Sequence, residues 1–201
     1  MKPIRLSILY VLSLLAFAFY SCNTSDNEPV VVPKEKSVYL EQLRSFVNSE
    51  LAKVNSCVVG YDKGNFRQNS ASSFPAQQKA YLDALNAAAT ALSTPDNLTI
   101  PGIVAIDKTL GAPGKTFNAQ ILISDHRALN DAIVDATALN NSTPAGSASG
   151  QAPQAAKTAF AAAITAATNI RNSVTAIDRN VTDGIAALSA AKAVFTAAII
   201  K

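Results

Sequence analysis

Tryptophan is absent, histidine occurs once, and only two cysteines appear in 201 residues. Each scarcity removes a class of chemistry. His126 has no serine elbow and no cysteine partner, so it reads as a structural residue rather than as the base of a nucleophile–base pair. No His/Cys cluster has metal-ligand spacing, so no metal and no cofactor is expected. One of the cysteines, Cys22, belongs to the leader described below. The other, Cys57, cannot form an internal disulfide and reads as a small apolar residue at a helix end. Charge is scarce too, at 15% of residues, and no basic stripe with interleaved aromatics appears. A nucleic-acid partner is therefore not expected.

What is present begins with a leader. Lys2 and Arg5 form a positive start, residues 6–20 are almost unbroken apolar sequence, and Ser21 precedes Cys22. A polar tract, Asn23-Thr24-Ser25-Asp26-Asn27-Glu28, follows at once. This is the arrangement of a bacterial lipoprotein signal peptide, with Cys22 as the lipidated residue and residues 1–21 removed. Phe19 and Tyr20 sit where smaller or aliphatic residues are usual, which leaves a plain secretory signal and an uncleaved anchor as competing readings. The apolar run is shorter than the roughly 20 residues a bilayer span needs. The leader carries two of the 17 basic residues and none of the 14 acidic ones, leaving a nearly neutral mature chain. The tract Ser25-Asp26-Asn27-Glu28 resembles the export tract of Bacteroidota surface lipoproteins, which implies an outer-membrane lipoprotein exposed at the cell surface.

Residues 22–36, with Pro29 and Pro33, read as a tether. Beyond it the pattern is helical and alanine-dominated, and alanine loses little side-chain entropy in a helix. Apolar residues recur at steps of three and four in five stripes. They are Leu40, Leu43, Val47, Leu51, Val54; Leu82, Leu85, Ala89, Leu92; Leu122, His126, Leu129, Ile133, Ala136; Phe160, Ile164, Ala167, Ile170; and Val181, Ile185, Leu188, Phe195. Such stripes are the buried seams of helical bundles. The chain also repeats itself at a shift of 78, which lays Leu51 on Leu129, Pro75 on Pro153, Lys79 on Lys157, Leu110 on Leu188 and Phe117 on Phe195. The expected fold is all-α, with two tandem three-helix units at 37–121 and 122–201. A continuous helix from about Pro113 to Asn140 would join them, with Gly111-Ala112-Pro113-Gly114 marking a kink or break at its start.

The second unit resembles a FIVAR domain, a three-helix bundle of bacterial surface proteins. The matching residues are Leu129-x3-Ile133-x2-Ala136, Gly150-Gln151-Ala152-Pro153, Ile164-x2-Ala167 and Leu188-x2-Ala191-x3-Phe195. Residues 40–121 match more loosely. The resemblance implies adhesins, cell-wall proteins or carbohydrate-active assemblies, and it brings no catalytic residues.

Residues 111–116 end in Gly-Lys-Thr like a phosphate-binding loop, but Thr109 stands where the first glycine belongs and no alternating strands and helices surround it. The carboxylates Asp83, Asp107, Asp131, Asp135, Asp178 and Asp183 are spread singly and read as solvated faces. His126, on an apolar stripe, reads as a structural residue at a helix crossing. The long loop of the first unit holds Tyr61 and Phe66, and exposed loop aromatics are the candidates for a glycan ligand. The functional expectation is a non-enzymatic surface lipoprotein acting in adhesion or glycan binding, with a glycan or host matrix protein as partner. The alternative is a structural spacer that holds a partner away from the outer membrane.

Overall fold

A computed structural model describes residues 35–201, and the leader, Cys22 and most of the tether lie outside the described residues. Among the described residues there are six α-helices: α1 (Lys36–Ser56), α2 (Phe74–Leu92), α3 (Ile100–Asn118), α4 (Arg127–Ser142), α5 (Gln154–Arg171) and α6 (Asp178–Ala198). Between α1 and α2 two short strands, β1 (Val59–Gly60) and β2 (Phe66–Arg67), pair in parallel and lead into a 3-10 turn at Gln68–Ser73. The fold is all-α, as the stripes require.

The stripes are buried as two separate cores. Leu40, Leu43, Val47 and Val54 of α1 meet Tyr81, Leu85 and Leu92 of α2 and Ile103, Leu110 and Phe117 of α3. Leu129, Ile133 and Ala136 of α4 meet Phe160 and Ala167 of α5 and Val181, Leu188 and Phe195 of α6. Burying each large apolar side chain contributes about 1.5–3 kcal/mol, so these ridges dominate the stability of both bundles. Aromatic rings fill the first core, with Phe66, Phe74 and Phe117 in mutual contact and Tyr81 against Phe117. The second is closed by alanines around one stacked pair, Phe160 and Phe195, 4.5 Å between centroids. Helix α6 is apolar enough by length and composition to cross a membrane, yet its Val181, Leu188 and Phe195 belong to this core.

The internal repeat is gapped. The shift of 78 holds for the third helices, where Ile103, Leu110 and Phe117 correspond to Val181, Leu188 and Phe195, all buried. In the second helices the buried residues Tyr81 and Ala88 correspond to Phe160 and Ala167 at a shift of 79. In the first helices Leu43 and Val47 correspond to Leu129 and Ile133 at 86, so Leu51 does not lie on Leu129. The same 86 relates the loops: the pairing Val59↔Phe66 recurs as Ala145↔Ala152. Gly64 and Gly150, both at positive φ (90° and 79°), make the same link. Gly64 N–H donates to Leu122 O, and Leu122 N–H to Asn65 O; Gly150 N–H donates to Ile200 O, and Ile200 N–H to Gln151 O. The first bundle has extra residues after β2, where the 3-10 turn Gln68–Ser73 lies, and the gap falls there.

Two expectations need correction. No shared helix joins the bundles, because α3 ends at Asn118 and α4 starts at Arg127. Residues 119–126 leave the helix to pair with the α1–α2 loop: Arg67 N–H donates to Gln120 O, and Phe66 bridges Ile121. Nor is α3 broken at Gly111–Gly114; it runs through Pro113. Gly114 is required by packing, since a Cβ there would sit 2.9 Å from Tyr81 Cζ. The Tyr81 hydroxyl donates to Glu50 Oε2 at 3.0 Å, which holds the ring in place. Replacing Gly114 by Ala is therefore expected to destabilise the protein by about 1–3 kcal/mol, read from urea denaturation followed by circular dichroism.

Candidate functional site

A polar cluster lies where the bundles meet. It is built from the loop 57–67, the strap 119–126 and the turn 172–177 between α5 and α6. His126, fully buried, links all three. Its backbone N–H donates to Tyr61 O at 2.7 Å. Its Nδ1 lies 2.7 Å from Arg171 O and its Nε2 2.8 Å from Ser124 Oγ, while Ser124, equally buried, donates to Ala176 O at 2.6 Å. A carbonyl can only accept, so Nδ1 carries a proton. The strap occupies the place that the first turn of α1 holds in the first bundle. The polar groups freed by unwinding that turn are satisfied by the neighbouring loop and turn, as burial demands.

Around this chain stand three arginines. Arg171 donates from Nη1 to Asn130 Oδ1 and from Nε to Asn172 Oδ1, with its Cζ 5.5 Å from the Tyr61 ring centroid. Arg67 donates from Nε to Gln120 Oε1 at 2.6 Å and from Nη1 to Asn172 O at 3.4 Å. Arg127 pairs with Asp62 at 2.8 Å and with Asp125 at 2.6 Å. Hydrogen bonds from Arg127 hold the Asp125 carboxyl below its usual range.

Neither aromatic candidate is a free platform. Phe66, expected to bind a ligand, is 0% exposed and packs edge-on against Phe74 at 5.1 Å, so it presents no accessible face in this structure. Tyr61 remains partly exposed, but the Arg171 guanidinium lies over its ring. His126 does sit at a crossing of elements, although just ahead of α4 and not on a helical stripe. Cys57 is buried at the end of α1, where desolvation pushes its thiol up and away from the nucleophilic thiolate. The Gly-Lys-Thr sequence lies within α3 and forms no loop. Cys22 lies outside the described residues.

Concave surface is found elsewhere, as two open grooves along α1 that share Arg44 and Asn48. The larger holds two titratable groups, Glu41 and Arg44, and the smaller runs to Leu92 and Ser93. Arg44 Nη2 donates to Leu92 O, capping the end of α2. Among the described residues no three His, Cys, Asp or Glu side chains gather as a metal site.

No protein-family model, curated protein or solved structure matches the chain.

Two substitutions test this geometry. His126→Leu leaves the Arg171 carbonyl and the Ser124 hydroxyl short of a partner and is expected to cost about 2–4 kcal/mol in chemical denaturation, with Ser124→Ala costing less. Asp107, half-buried on α3, has its carboxyl pushed up by desolvation. Its folded-state value lies above the unfolded one, so its protonated form favours folding, and stability falls as pH rises between the two. Asp107→Asn is expected to raise the thermal midpoint at pH 7, with the gain shrinking as pH falls through the folded carboxyl's range and vanishing well below the ordinary aspartate value, where both states are protonated.

Proposed function

We propose that the protein is a non-enzymatic spacer at the outer membrane, anchored by lipid on Cys22, in which two FIVAR-like bundles are held as one body. The observation that carries this reading is the use of the α1–α2 loop. A ligand-presenting loop keeps its aromatic side chains accessible, whereas this one buries Phe66 and sends Tyr61, Asp62 and Arg67 into contact with the second bundle. A joint centred on buried, partnered polar groups, His126 and Ser124, resists bending, since breaking either link strands a buried donor or acceptor at about 1–3 kcal/mol. The spacer reading accordingly ranks ahead of adhesion or glycan capture. Catalysis ranks last: the groove's two titratable groups are of opposite charge, and Arg44 is already bonded to the Leu92 carbonyl.

Spin labels at Lys79 on α2 and Arg179 on α6, both well exposed, report on the joint directly. A single narrow distance distribution is expected, broadened by His126→Leu; a broad distribution in the native chain rules out a rigid spacer. A glycan array probed with the same protein is expected to be blank. A hit abolished by Tyr61→Ala shifts the assignment to glycan capture. Cys22→Ser is expected to abolish fatty-acid labelling and membrane retention.

A further inference from the structure

The open grooves on α1 are the counterpart, in the first bundle, of the face by which the second bundle receives the first. At the shift of 86, Leu40, Glu41 and Arg44 correspond to His126, Arg127 and Asn130. At 79, Leu92 and Ser93 correspond to Arg171 and Asn172. Four of those five second-bundle residues touch the first bundle's loop: His126 donates to Tyr61 O, Arg127 pairs with Asp62, Arg171 covers Tyr61, and Asn172 accepts from Arg67. The fifth, Asn130, holds Arg171 in place. Even the cap is shared, since the Leu92 carbonyl accepts from Arg44 as the Arg171 carbonyl is met by His126.

The matching end is open as well. The loop 143–153 is tied to the residue after α6 by the same reciprocal bonds, Gly150 N–H to Ile200 O and Ile200 N–H to Gln151 O, that tie the first bundle's docking loop to Leu122. Among the described residues nothing fills the α1 face or the 143–153 end, and the two share the design of the filled pair between the bundles. The geometry points to head-to-tail association of copies of this chain, the 143–153 end of one molecule seating in the α1 groove of the next. Such a contact is heterologous and does not close on itself. It goes beyond the spacer assignment and does not require the lipid anchor.

The contact lacks the joint's charges. Ser147 and Ala148 stand where the joint has Tyr61 and Asp62, and Glu41 stands where it has Arg127. The association is therefore weaker than the internal joint, and its chemistry can be rewritten. Positions 41 and 148 are both exposed, so changes there leave the cores intact. Sedimentation of the full-length chain is expected to show mass rising with concentration and passing through a dimer without a plateau. Ala148→Asp alone, facing Glu41, weakens association. Ala148→Asp combined with Glu41→Arg rebuilds the joint's Asp62–Arg127 pair between molecules and tightens association at least tenfold over Ala148→Asp alone. A native chain that stays monomeric at millimolar concentration overturns the inference. So does self-association that none of these substitutions changes, because the contact then lies elsewhere. The intramolecular label distance is unaffected by either result, which separates this test from that of the spacer.

Discussion

The constraint on which the rest of the structure depends is the satisfaction of backbone and side-chain polar groups where the chain passes between bundles. Residues 122–126 correspond to the first turn of α1 but do not coil here. Their hydrogen bonds have to come from elsewhere, and they come from Asn65, Tyr61, Arg171 and Ala176. One buried histidine and one buried serine make this possible, because each can bond on two sides at once. Once that strap is fixed, Ile121 must pair with Phe66, and Phe66 must turn inward. The loop that carries it is then committed to the joint.

Within each bundle the controlling quantity is the distance between helices, and small residues set it. Gly114 lets α3 meet the Tyr81 ring directly, and Gly184 of α6 does the same for Ile170, whose Cδ1 would lie 3.0 Å from an added Cβ. The first core fills the resulting space with aromatic rings and the second with alanines and two stacked phenylalanines. The same frame therefore tolerates different side chains, provided the total volume is kept. Equivalent positions keep one role with different chemistry: Gln78 Nε2 donates to Val54 O at the end of α1, and its counterpart at 79, Lys157, donates to Asn140 O at the end of α4.

Helical periodicity made the cores legible in the sequence, since Leu43, Val47, Leu85, Leu129, Ile133, Leu188 and Phe195 are all buried as their spacing implies. The strap was not legible. Leu122, His126 and Leu129 keep helical spacing while the first two lie outside any helix, because burial constrains which side chains are apolar and not which backbone carries them. Gly111 to Gly114 misled for the opposite reason: local propensity favours a break, and close packing against Tyr81 overrides it. Phe66 reads from sequence as a loop aromatic, and only the strand bridge to Ile121 explains its burial. Tyr61 and His126 could be placed together only by knowing that the strap and the loop meet.

The gapped register makes the relation between the bundles one of structure as well as of residue type. An ungapped shift of 78 aligns residue types but confuses Leu51 with a core position. The corrected shifts align burial, the Val59↔Phe66 and Ala145↔Ala152 bridges, the two positive-φ glycines and the two capped helix ends. What does not repeat is the polar equipment of the outward faces. Tyr61, Asp62, Arg67, Ser124, His126 and Arg127 have as counterparts Ser147, Ala148, Pro153, Val38, Leu40 and Glu41. Two bundles of one design thus carry different side chains on the faces that meet and on their counterparts. The joint gains its strength at its buried centre, because His126 without Ser124 is a buried polar group lacking its match, whereas the exposed Arg127 keeps Asp125 when Asp62 is lost.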